Sequence, residues 1–100
     1  MDVQNEISQI VNQNKIVLFM KGSPEFPQCG FSAHAVKLIL KYTSNLYTVN
    51  VLEDPAIRDG VKVYSSWPTI PQLYVNGQFI GGCDIINDMD QDGELEDLFV

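Results

Sequence analysis

The first 20 residues show two hydrophobic patterns of different period. Residues 3–11 carry apolar side chains at helical spacing, Asp2 precedes them as a potential N-cap, and Asn14 follows as a terminator. Residues 16–20 form an unbroken apolar run rich in branched and aromatic side chains. A run of this length favours a strand covered on both faces. The segment therefore predicts a helix followed by a buried strand.

The next stretch repeats this alternation after a loop. Two prolines and a glycine mark residues 21–28 as a loop, and apolar positions then predict a helix from Cys29 to about Tyr42. Residues 46–51 are typical of a second strand. Asp54-Pro55 is a favourable N-cap and first-turn pair for a short helix that reaches about Tyr64.

A hairpin is predicted in the second half of the chain. The two prolines within residues 67–71 interrupt the preceding helix. Residues 72–75 and 78–80 flank Asn76-Gly77, a pair that favours a two-residue primed turn. Gly81-Gly82 ends the hairpin.

The remaining residues predict two short helices divided at Gly93, so the element order is αβαβαββα plus a short final helix. One βαβ crossover followed by a hairpin implies a mixed four-stranded sheet with helices on both faces, an α/β fold. The length of 100 residues, 45% of them hydrophobic, predicts a single domain over 1–100.

Charge is distributed unevenly. The formal net charge is −7, and residues 84–100 account for all of it with seven acids and no base. This distribution disfavours nucleic acid and anionic lipid as partners. No apolar run approaches the ~20 residues of a membrane span, and the N-terminal residues show no basic targeting segment. We therefore expect a soluble, cytoplasmic protein that binds neither nucleic acid nor membrane.

Cys29 is the strongest candidate for chemistry, because it follows a loop and opens a predicted helix. The N–H groups at a helix N-terminus lower the pKa of a thiol, and Lys21 could add a cation; the alternative is a buried, inert cysteine. Ser32 stands where a C-x-x-C motif would have its second cysteine. A second sulfur must therefore come from Cys83 or from an outside thiol, unless Cys83 is only a small residue at a helix start.

Four segments together resemble the monothiol, CGFS-type glutaredoxins. They are Lys21-Gly22-Ser23-Pro24, Cys29-Gly30-Phe31-Ser32, Trp67-Pro68-Thr69-Ile70-Pro71-Gln72 and Gly81-Gly82-Cys83-Asp84. They occur in the family's order, and the resemblance covers essentially the whole chain. It implies a thioredoxin-like fold, in agreement with the element order read from the pattern.

The resemblance also implies a glutathione site. Lys21 and Arg58 would hold the glycine carboxylate of glutathione, and the backbone of Ile70, before a cis Pro71, would pair with its cysteine. The implied contacts at the other end and around the thiol are Cys83, Asp84, Gly30 and Phe31. Two cations can neutralise the glycine carboxylate. The N–H groups of the helix that starts near Asp84 can bind the carboxylate of the γ-glutamyl end.

A cluster carried between two chains is the further implication of the resemblance. A [2Fe–2S] cluster takes four thiolates, and one chain has two cysteines without cluster-type spacing. Two Cys29 thiolates and two glutathione thiols in a homodimer make four. The resemblance implies a role in cluster assembly, transfer or iron sensing, with apo iron–sulfur proteins as recipients and a BolA-like protein as a possible partner. The alternative is a glutathione-dependent oxidoreductase that uses Cys29 on protein mixed disulfides.

Two other patterns point elsewhere. Residues 88–93 match the first half of an EF-hand loop, but position twelve is Phe99 where calcium binding requires a bidentate Glu. The acidic tail could instead form an interaction module for a basic partner. His34, the one histidine, lies five residues after Cys29, and this spacing predicts a solvent-facing side chain turned away from the thiol.

Overall fold

The order of helices and strands agrees with the pattern-based prediction throughout residues 2–100, which the computed structural model describes. The helices of this part of the chain are α1 (Val3–Gln13), α2 (Gly30–Leu40), α3 (Pro55–Ser65), α4 (Cys83–Gln91) and α5 (Glu94–Leu98). Its strands are β1 (Ile16–Met20), β2 (Tyr47–Asn50), β3 (Gln72–Val75) and β4 (Gln78–Gly81).

The predicted helix starts are confirmed by their caps. The Asp2 carboxylate accepts a hydrogen bond from the Gln4 backbone N–H at 3.1 Å. Asp54 accepts from the backbone N–H groups of Ala56 and Ile57, at 3.1 and 3.2 Å. Each carboxylate satisfies N–H groups that have no partner inside the helix. The ends are less accurate: α2 stops at Leu40 rather than at about Tyr42, and β2 is shorter than residues 46–51.

The four strands form one mixed sheet in the order β2-β1-β3-β4. Strand β1 pairs parallel to β2 and antiparallel to β3, and β3 pairs antiparallel to β4. The predicted primed turn is confirmed by positive φ at Asn76 (52°) and Gly77 (80°). This is the thioredoxin-like fold that the sequence predicts, and it brings the end of β1 and the start of β3 to the same region as the starts of α2 and α4.

Hydrophobic cores on both faces of the sheet explain why β1 is apolar throughout. Its alternate residues Ile16, Leu18 and Met20 pack toward α2, α4 and α5. Val17 and Phe19 pack toward α1 and α3. Because side chains alternate across a strand, a strand covered on both faces must be apolar at every position.

The acidic C-terminal segment is part of the first core. Leu95 is fully buried and Phe99 is 9% exposed. Asp90 of α4 accepts hydrogen bonds from the Tyr42 hydroxyl and from Lys41 Nζ, the latter at 3.1 Å, which ties the helix to the end of α2. None of the helices in residues 2–100 has the length and apolar character needed to cross a membrane.

Candidate active site

Cys29 lies at the N-cap of α2, with extended backbone (φ −151°, ψ 135°). The backbone N–H of Ser32 has the largest effect on its thiol and lowers the pKa below the ordinary value, because it stabilises the thiolate. Partial burial opposes this effect, while the N–H of Phe31 and the charge of Lys21 reinforce it. The predicted reactive thiol at a helix start therefore has a structural basis, with backbone amides contributing more than the lysine.

Ser32 joins the end of β1 to the start of α2. Its side chain is fully buried, and its hydroxyl oxygen accepts a hydrogen bond from the Lys21 backbone N–H at 3.0 Å. A buried N–H without a partner is costly, so this hydroxyl satisfies a group that neither the sheet nor the helix can satisfy. From the sequence, Ser32 is only the residue in place of a second cysteine, and its bond to Lys21 was not predicted.

The loop before Cys29 is held by its own hydrogen bonds. The Gln28 N–H donates to the Lys21 carbonyl at 2.8 Å, and the Gly22 N–H donates to Asn50 Oδ1 at 2.9 Å. Gly22 has a φ of +94°, and a Cβ there would lie 2.5 Å from the Phe26 carbonyl oxygen. Because glycine alone fits this position, the loop closes tightly and presents Cys29 at a defined place.

A groove of about 410 Å³ begins at Cys29 and passes between the segment before β3 and the start of α4. Its lining residues are Lys21, Cys29, Phe31, Lys62, Trp67, Pro68, Thr69, Ile70, Pro71, Gly82, Cys83, Asp84 and Ile85. The Ile70–Pro71 peptide bond is cis, as predicted. A Cβ at Gly82 would lie 3.3 Å from the Pro71 carbonyl oxygen and from Trp67 Nε1, so the glycine lets these segments approach closely.

The groove gathers nearly all the residues that the sequence analysis assigned to a site. Of the predicted site residues, Arg58 and Gly30 do not line it; the Arg58 guanidinium lies 3.4 Å from the Asp59 carboxylate, and the two side chains are 43% and 73% exposed. Lys62, one helical turn further along α3, lines the groove instead. Sequence reasoning missed Lys62, although its spacing of four residues from Arg58 places it on the same helix face.

Cys83 differs from Cys29 in its surroundings. Burial, followed by the charges of Asp84 and Cys29, raises the pKa of the Cys83 thiol. Both cysteines are free and both are partly exposed. The two thiols border the same groove, and their surroundings shift the two pKa values in opposite directions, so Cys29 ionises more readily than Cys83.

A second pocket of about 550 Å³ opens on the other side of Cys29. It is lined by Cys29, Gly30, Phe31, His34, Cys83, Asp84 and Asn87. His34 is exposed, as predicted, and it lines this pocket together with Cys29. A side-chain hydrogen bond of 2.9 Å between His34 Nε2 and Asn87 Oδ1 draws the imidazole toward α4.

The metal-ligating side chains of the described residues are spread over the molecule. Across residues 2–100, no three His, Cys, Asp or Glu side chains lie close enough together to hold a metal ion. The acids at positions 88–92 lie within or directly after α4 rather than in an open loop. In this geometry they do not converge as calcium ligands must.

Comparison with known proteins identifies relatives over the whole length. The family model for glutaredoxins matches residues 16–80. Monothiol glutaredoxin-5, mitochondrial, of Saccharomyces cerevisiae is 49% identical over 100 residues, covering 97% of this chain and 67% of the yeast protein. Glutaredoxin 4 of Haemophilus ducreyi is 49% identical over 98 residues, covering 98% and 92%.

Solved structures agree with this match in fold. Reduced poplar apo GrxS14 superposes with a TM-score of 0.82 at 44% identity, covering 97% of this chain and 93% of the poplar chain. A buckwheat glutaredoxin–glutathione complex superposes with a TM-score of 0.84 at 25% identity, covering 97% and 86%. Together with the single-thiol sequence Cys29-Gly30-Phe31-Ser32 and the groove that begins there, these matches establish that the chain belongs to the glutaredoxin family, in its monothiol group.

Proposed function

We propose that this protein binds glutathione in the groove beside Cys29 and, as a homodimer, carries a [2Fe–2S] cluster in iron–sulfur cluster assembly, transfer or iron sensing. The observation that carries the proposal is the position of the Cys29 thiol, whose pKa is lowered, in a groove that two lysines also line. An anionic thiol tripeptide bound there has its own sulfur available beside Cys29.

The groove has a suitable group for each part of glutathione. Lys21 and Lys62 supply positive charge for the glycine carboxylate, and Arg58, assigned to the same carboxylate by resemblance, lies one turn from Lys62. The backbone of Ile70, which precedes the cis proline, can pair with the cysteine of the tripeptide as an added strand does.

The γ-glutamyl end meets the start of α4. Gly82 caps this helix without a side-chain hydrogen bond, so the N–H groups near Cys83 and Asp84 are available to a carboxylate. Glutathione binding is also supported by the related buckwheat protein, whose structure is a glutathione complex.

Ligand counting supports a cluster shared by two chains. A [2Fe–2S] cluster needs four thiolates, and this chain has two cysteines, of which Cys29 alone has a lowered pKa. Two Cys29 thiolates and two glutathione thiolates meet the requirement. The cluster is cargo here: half of its ligands belong to an exchangeable small molecule, which allows release to a recipient.

Anaerobic reconstitution tests this proposal. We expect iron, sulfide and glutathione to convert the protein into a coloured dimer, detected by its visible absorption and by its mass in solution. Cys29→Ser should stay colourless and monomeric, whereas Cys83→Ser should still assemble. If wild type and Cys29→Ser both stay colourless monomers, cluster carriage is contradicted.

A glutathione-dependent oxidoreductase is the second candidate, favoured by the lowered pKa of Cys29. The Cys29 thiolate attacks the glutathione sulfur of a glutathionylated protein and expels the protein thiolate. A second glutathione thiolate then attacks the Cys29–glutathione disulfide, restoring Cys29 and releasing glutathione disulfide. We expect weak turnover in a disulfide reduction assay, and turnover as fast as that of a dithiol glutaredoxin would make this the main function.

Partners and location follow from the same proposal. Apo iron–sulfur proteins are the proposed recipients, and a BolA-like protein is a proposed partner in a mixed dimer bridged by the cluster. A cytoplasmic location stays a prediction; relatives with printed locations include a mitochondrial and a chloroplastic protein.

A further inference from the structure

We propose that the second pocket, between α2 and α4, is the docking site for a positively charged polypeptide segment that reacts at Cys29 while glutathione occupies the groove. The inference rests on the proposed use of the groove for glutathione. It adds a second approach to the same sulfur and specifies the chemistry of the molecule that uses it.

The thiol lies on the border between the two cavities. Cys29, Phe31, Cys83 and Asp84 line both of them. Beyond this border the walls differ: the groove extends toward Lys62 and Trp67, whereas the second pocket extends along the facing sides of α2 and α4. Gly30, His34 and Asn87 line the second pocket alone, so this part of the pocket stays free when a tripeptide occupies the groove.

The pocket has the surface chemistry of a peptide-binding site rather than of an anion site. Phe31 is 64% exposed at its mouth and offers an apolar contact. His34 and Asn87 bond to each other across the pocket and present further polar atoms for a peptide backbone. No lysine or arginine of residues 2–100 lines it, in contrast to the groove with its Lys21 and Lys62.

Charges around the pocket favour a cationic occupant. Asp84 and Asp88 are exposed on the α4 side, next to the acidic tail. On the α2 side, Lys37 is exposed and opposes them, while Lys41 lies 3.1 Å from the Asp90 carboxylate that compensates its charge. The two carboxylates of Asp84 and Asp88 outnumber the one uncompensated lysine, Lys37, around this pocket, which favours a basic segment over a second glutathione.

Thiol–disulfide exchange with charged peptides provides the test. Three peptides share a Leu-Cys core and differ in two further residues, which are both Lys, both Gln or both Glu. In each peptide the cysteine sulfur forms a disulfide with 5-thio-2-nitrobenzoate. The Cys29 thiolate attacks that sulfur, a Cys29–peptide disulfide forms, and the coloured thiolate leaves with the electron pair. For each peptide, the second-order rate constant of Cys29→Ser is subtracted from that of the protein. The difference is then divided by the rate constant of the same peptide with a small free thiol, which corrects for the intrinsic reactivity of the peptide.

Two substitutions at one position separate charge from structural damage. Asn87→Lys and Asn87→Asp both replace the amide that His34 contacts, but they change the pocket charge in opposite directions. Gln9→Lys, exposed on α1 across the sheet, makes the same charge change as Asn87→Lys at a distance. We expect wild type to prefer the Lys peptide over the Glu peptide by roughly 10-fold at low salt, with the preference reduced by salt.

The preference for the Lys peptide should fall in Asn87→Lys, rise in Asn87→Asp and stay unchanged in Gln9→Lys.

Occupancy of the groove is tested with the peptide γ-Glu-Ala-Gly, which lacks a sulfur. It should bind the protein in calorimetry and leave the rate with the Lys peptide unchanged. Equal rates for all peptides, equal shifts in both Asn87 variants, or competition by γ-Glu-Ala-Gly would each overturn the docking site. Absence of γ-Glu-Ala-Gly binding would instead contradict the glutathione groove, so the two failures are distinguishable.

Discussion

At Cys29 two backbone N–H groups help to lower the pKa of the thiol. Those of Ser32 and Phe31 stabilise the thiolate, while Lys21 adds a smaller electrostatic contribution. At Cys83, burial and two neighbouring negative charges act in the opposite direction. The two thiols therefore have pKa values on opposite sides of the ordinary thiol value, although both lie at the edge of one groove.

Alkylation by iodoacetamide over a range of pH tests this difference. The thiolate is the reactive form, so a lowered pKa moves the rise in rate for Cys29 to lower pH, and a raised pKa moves the rise for Cys83 to higher pH. Peptide mass spectrometry follows both cysteines in one sample. In urea-unfolded protein the two profiles should coincide; a difference that persists there would show that the fold is not its cause.

Lys62 and Arg58 can be compared directly by substitution. We expect Lys62→Gln to weaken glutathione binding by roughly 5-fold, about 1 kcal/mol, as for the loss of one partly exposed ionic contact. Arg58→Gln should have a smaller effect, because the Arg58 guanidinium lies beside Asp59 outside the groove lining. Isothermal titration calorimetry measures both, with Lys37→Gln on α2 as the control for net charge. A larger loss in Arg58→Gln would favour the assignment made from the resemblance.

At the scale of elements, the site lies at the loop that connects the end of β1 to the start of α2. The Ser32 hydroxyl accepts from the Lys21 N–H, the loop closes at Gly22, and Cys29 follows at the helix cap. The sequence predicted the loop and the helix, but not the bond between them, because which hydroxyl meets which N–H depends on how the two elements pack.

Ser32→Ala tests the importance of that bond. The substitution leaves the Lys21 N–H without a partner, so we expect the free energy of unfolding to fall by about 1–2 kcal/mol. The Cys29 pKa should rise slightly, since the Ser32 side chain also lowers it. Urea denaturation measures the stability, and Ser44→Ala, at an exposed position, is the control. Equal stability of both variants would contradict a structural role for the Ser32 hydroxyl.

At the scale of the whole molecule, the acidic C-terminal segment belongs to the fold. Leu95 and Phe99 pack into the core formed with α2 and α4, and Asp90 ties α4 to α2. This arrangement holds Cys83 and Asp84 against the groove. An interaction module in the tail would therefore consist of its exposed acids and not of a detachable segment.

Leu95→Ala distinguishes a core segment from an appended one. The side chain is fully buried, so we expect a loss of roughly 2–5 kcal/mol in the free energy of unfolding. Leu40→Ala, with its side chain 46% exposed, should cost less. Urea denaturation followed by far-ultraviolet circular dichroism measures both, and a Leu95→Ala effect no larger than that of Leu40→Ala would contradict this packing.

The sequence by itself determined the elements, the sheet composition and the candidate cysteine at the start of α2. Periodicity, capping residues and turn pairs act between near neighbours in the chain, so they can be recognised before any packing is known. Only the tertiary structure decided that Lys62 rather than Arg58 lines the groove, that His34 bonds to Asn87 of α4, and that the Ser32 hydroxyl accepts from the Lys21 N–H. These are contacts between distant segments, and their geometry follows from how helices lie across the sheet, which no local pattern specifies.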